Sequence, residues 1–311
     1  MSTFDAVIVG GGPAGASCAL WLKLLGFQPC IVERRAILGG LQNESPYPNV
    51  WIASSIGYRG QQVARAIHEN VHSHDIASCL NTTVQSIIPR DGGFLVNTGS
   101  AATREVLFAP YLVIASGVRP ADGGLRAGPK LLIGPGKQID MTDWHNKSVA
   151  ILGGGDSAFE NYEFIRAKGA SNIRIYARTI KARREFLQCV PVQNVRVGPY
   201  VVDPDTMTVA GQRYDAVVAL YGWTPSLEFI GNLEFTRTSG GFIATDHRTA
   251  ETSIQNVFTI GEVAHRMHPC CVTSMADGVV AAKEIQKRIE AAGKGDYLAP
   301  AGSATGLAAR R

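Results

Sequence analysis

The stretch Phe4-Asp5-Ala6-Val7-Ile8-Val9-Gly10-Gly11-Gly12-Pro13-Ala14-Gly15 decides the fold. Phe4 to Val9 reads as a buried strand: a short apolar run that breaks at a glycine turn. Ala14 to Gly26 has helical spacing, with Cys18, Leu22 and Leu25 on one face. Gly26 stands where a left-handed residue closes a helix. Pro29 to Glu33 is a second strand, which completes a β-turn-α-β unit. Within the turn, Gly10 permits the tight reversal, and Gly12 lets backbone approach a pyrophosphate. Gly15 lets helix and strand pack closely. Pro13 and Ala14 open a helix whose free N–H groups and positive dipole face phosphates. Glu33 ends the second strand, roughly twenty residues beyond the turn, where an acid holds a ribose hydroxyl pair. The set points to a bound dinucleotide.

The pattern restarts further along. Ser148 to Leu152 is a strand, Asp156 to Lys168 a helix and Asn172 to Ala177 a strand. Gly153-x-Gly155-x-x-Ala158 forms the turn, and Asp156 and Ser157 open its helix. No acid ends this second strand. Arg178 stands there instead, with Lys181, Arg183 and Arg184 after it. Cations at this point suit a 2′-phosphate, so NADP is favoured over NAD. Strand–helix alternation also covers Arg59 to His74, Tyr111 to Ala115, Ala216 to Tyr221, Val257 to Ile260 and a helix from about Thr273 to Ala292. The expected class is α/β with parallel, doubly wound sheets.

Bulk properties remove other classes. The chain has 311 residues, 45% of them apolar, and a net charge of +4. That charge is too mild and scattered for a nucleic-acid footprint. No signal peptide or membrane span is legible. Cys18, Cys30, Cys79, Cys189, Cys270 and Cys271 show neither disulfide-framework nor zinc spacing, which points to a reducing, cytoplasmic home. No metal site is expected. His265 and His268 lie in one loop, and a loop histidine is more often merely solvated. The tail Ala299 to Arg311 reads as loose.

Both glycine units, Ala115-Ser116-Gly117, and Thr259-Ile260-Gly261-Glu262 ahead of the last helix resemble the bacterial thioredoxin reductase-like flavoprotein family. Gly39-Gly40 and Gly153-Gly154-Gly155-Asp156-Ser157-Ala158 stand in the family's order, and the resemblance runs from about residue 4 to 292. It implies two Rossmann-like, three-layer ββα domains. An FAD domain would comprise 1–118 and 242–311, with a nicotinamide domain of 119–241 inserted and Gly117 and Gly241 at the crossings. It also implies hydride passage from NADPH to FAD, a homodimer and a redox partner. FAD would meet Gly10, Gly12, Pro13, Ala14, Gly15, Glu33, Arg34, Gly40, Gln42, Asn49, Val84, Ala115, Ser116, Gly117, Gly261, Glu262, Cys270 and Cys271. NADPH would meet Gly153, Gly155, Asp156, Ser157, Ala158, Arg178 and Arg183.

The chain departs from the family where electrons leave. The stretch matching the family's C-x-x-C is Gly136-Lys137-Gln138-Ile139-Asp140; both cysteines are absent, and Asp140 reads as a solvated loop residue. Glu262 replaces an Asp and keeps an acceptor for the ribityl chain. Cys270-Cys271 replaces a Gln-Ala pair at the N-terminus of the last helix, beside the flavin's pyrimidine edge. Thiols there can be activated by the dipole, although small packing residues are the plainer reading. The catalytic residues stay open, with Cys270, Cys271 and His268 as candidates. Three functions are compatible: an NADPH-dependent FAD oxidoreductase serving a ferredoxin- or flavodoxin-like carrier or a small molecule; a disulfide enzyme using Cys270/Cys271; or a non-catalytic flavin redox sensor. The stretch from Arg184 to Ala216 is short for the family, leaving Phe186 to Val209 to supply any antiparallel piece.

Overall fold

A computed structural model describes residues 1–100, 103–231 and 233–297; the tail expected to be loose lies outside them. The first unit is β1 (Ala6–Val9), α1 (Pro13–Leu24) and β2 (Pro29–Val32), joined by β3 (Ala77–Cys79) and β4 (Tyr111–Ile114). The second is β5 (Ser148–Leu152), α2 (Asp156–Ala167), β6 (Asn172–Ala177) and β7 (Ala216–Ala219). The chain returns as β8 (Val257–Thr259) and α3 (Cys271–Tyr297).

The first sheet runs β8-β4-β1-β2-β3, all parallel. Its strands alternate between two cores. Ala6, Ile8, Ile31 and Val113 face α1 and α3, where they meet Cys18, Leu22 and Ile285. Val7, Val9, Cys30 and Leu112 face a mixed sheet, antiparallel except for its Ser2–Thr3 edge, and meet Phe94, Val96 and Leu107. That sheet is built from Thr83–Arg90, Gly93–Gly99, Arg104–Ala109 and Ser2–Thr3. Apolar runs buried on both sides are what a parallel central strand requires.

The second sheet is also parallel, with β5 between β6 and β7 and with Leu131–Ile133 and Val195–Val197 at its edges. Helix α2 covers one face through Phe159, Tyr162 and Ile165. The other face packs on a small antiparallel piece of Val202–Asp203, Thr208–Val209 and Gln212–Arg213. The short segment thus still yields a third layer, reaching slightly beyond Val209.

The first domain is continuous in space and interrupted in sequence, because β8 pairs with β4 across the inserted unit. Val118–Pro120 and Trp223–Pro225 pair antiparallel and form the two-stranded crossing. The second strand of this ribbon precedes Gly241 in the sequence. Ile230 and Leu233, beyond it, already pack in the first domain's core with Ile243. Gly222, with φ +96°, precedes the second strand of the ribbon, but the ribbon is only three residues long on each side, so periodicity misses it.

Candidate functional site

At the end of β1 the chain turns through Gly10 with φ +107°. A Cβ there would lie 2.4 Å from the Ala115 carbonyl oxygen, and one on Gly15 would lie 2.0 Å from the Gly10 oxygen. Neither position admits a side chain. A Cβ on Gly12 would find only the Gly40 Cα, at 3.7 Å, so the middle of the turn is bare backbone open to a ligand. Helix α1 starts directly behind it with no side chain capping its N-terminus, leaving its first N–H groups to whatever anion enters. Glu33 is only 6% exposed. Its carboxylate accepts the Gly11 N–H at 2.8 Å and the Arg35 N–H at 2.9 Å. The acid is thus locked to the glycine turn, with its remaining lone pairs available to hydroxyls. These are the features an adenine dinucleotide needs, and the residues fit one.

The turn opens on a cleft of about 310 Å³. Gly10, Gly12, Pro13, Ala14, Glu33 and Arg34 line it from the first unit, with Gly40 and Gln42 from the loop after β2. Ala115, Ser116 and Gly117 line it from the end of β4, and Gly261, Glu262 and Cys271 from the returning chain. An adjoining cavity of about 290 Å³ shares Gly10, Glu33, Arg34 and Ser116 and adds Val84. Gly15 stays buried behind the turn. Asn49 does not line either cavity; its Nδ2 donates to Gln42 Oε1 at 3.0 Å and steadies that lining residue.

Cys270 and Cys271 do separate things. Cys271 faces the cleft and is 9% exposed, and burial pushes its thiol up to about 12, opposite to the activation a helix N-terminus can give. Cys270 caps the helix: its Sγ lies 3.3 Å from Thr273 Oγ1 and 3.5 Å from the Thr273 nitrogen that donates to it. Both are free thiols. His268 is exposed and outside the cleft lining, and its carbonyl accepts the Thr273 hydroxyl at 2.7 Å. His265 packs on Phe242, ring centroids 4.8 Å apart. Glu262 is desolvated, which raises its carboxyl above the usual range.

The second glycine turn copies the first. A Cβ on Gly153 would lie 2.2 Å from the Leu220 oxygen, while Gly155 faces open space. Ala158 is buried against β5. The basic loop folds back over the turn, with Lys181 and Ala182 N–H groups donating to the Gly154 oxygen at 2.7 and 3.0 Å. Arg183 is paired with Asp156 at 2.7 Å, and its own N–H donates to the same carboxylate at 2.8 Å. Arg178 follows β6 and is exposed. Ser157, expected at this second site, lines the first cleft, together with Glu160. Burial, aided by Asp156, raises the Glu160 carboxyl.

Tyr47, Glu160, Pro135 and Gly136 are among the cleft residues that the sequence reading does not name as site residues. Tyr47 lines the cleft, donates to Asn161 Oδ1 at 2.7 Å and packs edge-on against Phe164, centroids 5.1 Å apart, so it ties the first domain to α2. Nothing local in its loop announces that. Glu160 is legible in principle, one turn after Asp156 on the same helix face. Pro135 and Gly136 line the cleft at the stretch that lacks the cysteines. Ile139 is fully buried and Asp140 pairs with Lys168 at 2.8 Å, so Asp140 is an anchored surface residue.

Comparison with known proteins agrees with this architecture. The pyridine nucleotide-disulphide oxidoreductase family matches residues 4–292. Thioredoxin reductase of Bacillus subtilis is 25% identical, covering 92% of this chain and 95% of that protein. Ferredoxin–NADP reductase 1 of Oceanobacillus iheyensis is 23% identical, covering 85% and 83%. The solved bacillithiol disulfide reductase from Bacillus cereus superposes with a TM-score of 0.77 at 20% identity, covering 92% of this chain and all of that one.

Proposed function

This chain belongs to the pyridine nucleotide-disulphide oxidoreductase family, and from that premise we propose that it is a flavin enzyme that passes electrons from NADPH to FAD and on to a small redox protein or small-molecule acceptor. The observation that carries the reading is a single cleft lined by both glycine-turn units, with Gly136 and no thiol pair where a dithiol relay would stand. FAD, when bound, supplies a carrier that accepts a hydride and releases its electrons.

The chain's own residues hold that carrier. Glu33 takes the adenosine ribose, the N-terminus of α1 takes the pyrophosphate, and Gly261 with Glu262 takes the ribityl side. The N-terminus of α3, at Cys270 and Cys271, offers N–H groups and positive dipole to the flavin's pyrimidine edge, where negative charge gathers on reduction. Ser157 and Glu160 close the opposite side. Arg178 meets the 2′-phosphate of NADPH, while Arg183 is held by Asp156 and serves to shape the loop. A ferredoxin- or flavodoxin-like carrier is the favoured acceptor, since relatives named ferredoxin–NADP reductase match most of the chain and a net charge of +4 suits an acidic partner. The dithiol alternative is weaker: Cys271 is the only cysteine lining the cleft, and its thiol is buried and held protonated. Six free cysteines fit a reducing cytoplasm, and the resemblance to the thioredoxin reductase-like family supports a homodimer. Among the described residues, no helix is long and apolar enough to cross a membrane.

Anaerobic mixing of the flavin-loaded protein with NADPH tests the reading. The visible flavin absorption bleaches quickly with NADPH and slowly with NADH; a flavin that stays oxidised with both overturns it.

A further inference from the structure

Behind the turn that carries Glu262 lies a buried ion pair that the cleft's chemistry leaves unused. Arg266 Nη1 lies 3.0 Å from Asp277 Oδ1, and each side chain is only 5% exposed. The other Asp277 oxygen accepts the Gly261 N–H at 3.0 Å. Arg266 Nη2 donates to the His247 carbonyl, and its Nε is buried with no partner. Gly261 takes φ +73°, and a Cβ on it would lie 2.9 Å from the Ala14 side chain. The turn is therefore wedged between the first turn of α1 and α3. Asp277 fixes it from α3, on the helix face that also presents Cys271 and Ser274 to the cleft.

Packing alone does not call for these charges. Apolar residues of similar volume often stabilise as well or better, and breaking such a pair on one side strands a charge. A group one residue behind the cleft wall acts on the cleft through low-dielectric protein, where charge is weakly screened. Burial raises the Asp277 carboxyl, and Arg266 and the Gly261 N–H pull it back.

We propose that Arg266 and Asp277 are positioning residues that hold the Gly261–Glu262 turn against the flavin and balance the charge behind it, so that the pair sets the reduction potential of the bound flavin. The inference rests on the reading that this cleft holds FAD. Its sign is fixed by electrostatics: excess positive charge behind the flavin favours the reduced, more negative form, and excess negative charge opposes it.

The test is a spectroelectrochemical titration of the FAD-loaded protein and three variants. Asp277→Asn strands the guanidinium, and its potential rises. Arg266→Gln does not raise it. The double variant, with no net change of buried charge, returns close to the wild-type value. An unchanged or lowered potential in Asp277→Asn, or a double variant as high as that single, overturns the proposal. A purely structural pair would move all three the same way, or lower only their flavin content. Should Asp277→Asn not fold, Arg266→Gln decides at alkaline pH, where the stranded Asp277 keeps its charge: a lower potential supports the proposal and an unchanged one overturns it. A wild-type protein that holds no FAD would instead sink the functional reading.

Discussion

The two glycine turns are near copies in backbone and opposites at the strand ends beside them. A Cβ added to Gly10 or Gly153 would lie 2.4 or 2.2 Å from the carbonyl oxygen of Ala115 or Leu220, while Gly12 and Gly155 both have room above them. The two units diverge at the end of the second strand. After β2 comes Glu33, buried and bonded back to Gly11. After β6 comes Arg178, exposed, in a loop that curls over Gly154 and binds its carbonyl. The glycines build a generic phosphate cradle; the strand-end residue selects the nucleotide. A buried acid suits a permanently held cofactor, and an exposed cation suits a ligand that comes and goes.

The harshest way to break the symmetry is to fill one cradle at a time. Gly15→Val forces atoms into the space where the Gly10 oxygen sits and costs about 3 kcal/mol, the upper end for overpacking; flavin content after purification falls to near zero. Gly153→Ala, by contrast, leaves the flavin in place and removes NADPH binding, as measured by fluorescence quenching.

The strand ends come next. Arg178→Ala loses a charge-assisted contact worth about 1.5–3 kcal/mol, so the NADPH Kd rises about ten- to a hundredfold while that of NADH barely moves. Equal effects on the two nucleotides would defeat the 2′-phosphate assignment. Glu33→Gln keeps shape but weakens the lock on Gly11 and the grip on ribose; FAD dissociates about tenfold more readily in a dilution assay, with NADPH binding untouched.

The smallest effects belong to the returning chain. Cys271→Ser changes NADPH-driven turnover by less than about twofold, because a thiol pushed up to about 12 is not a thiolate at neutral pH. A large loss with retained flavin would revive a thiol mechanism. Glu262 carries a pH signature. Its native carboxyl is raised, so the folded state favours the protonated form, and that contribution is lost as pH rises through the raised value. Glu262→Gln therefore raises the Tm of the flavin-free protein at about pH 8 and leaves it nearly unchanged at about pH 4.

Much of this is legible in sequence, for physical reasons. Parallel strands buried on both sides are short apolar runs, and glycine turns with a positive φ admit few substitutes, so both β-turn-α-β units can be read directly. The second-domain boundary cannot. The ribbon of Val118–Pro120 and Trp223–Pro225 exists only because segments a hundred residues apart pair, and no local pattern reports that. The motif points Ser157 at the second nucleotide, and its place in the lining of the first cleft follows from how α2 packs, which no local pattern reports. Tyr47 and Asp277 are invisible because their contacts are tertiary: Tyr47 meets Asn161 of α2, more than a hundred residues away, and Asp277 meets Gly261 in the turn ahead of its own helix. Cys271 stands out in the sequence, but its chemistry depends on burial, which spacing does not report.

The central claim is that electrons reach the flavin and pass outward with no dithiol between. Anaerobic titration of the FAD-loaded protein with NADPH tests it most directly. The flavin is fully reduced at one equivalent of NADPH per flavin, and no new thiols appear against a thiol reagent. A requirement for two equivalents, with two thiols gained, or a flavin that NADPH leaves oxidised, would contradict the account.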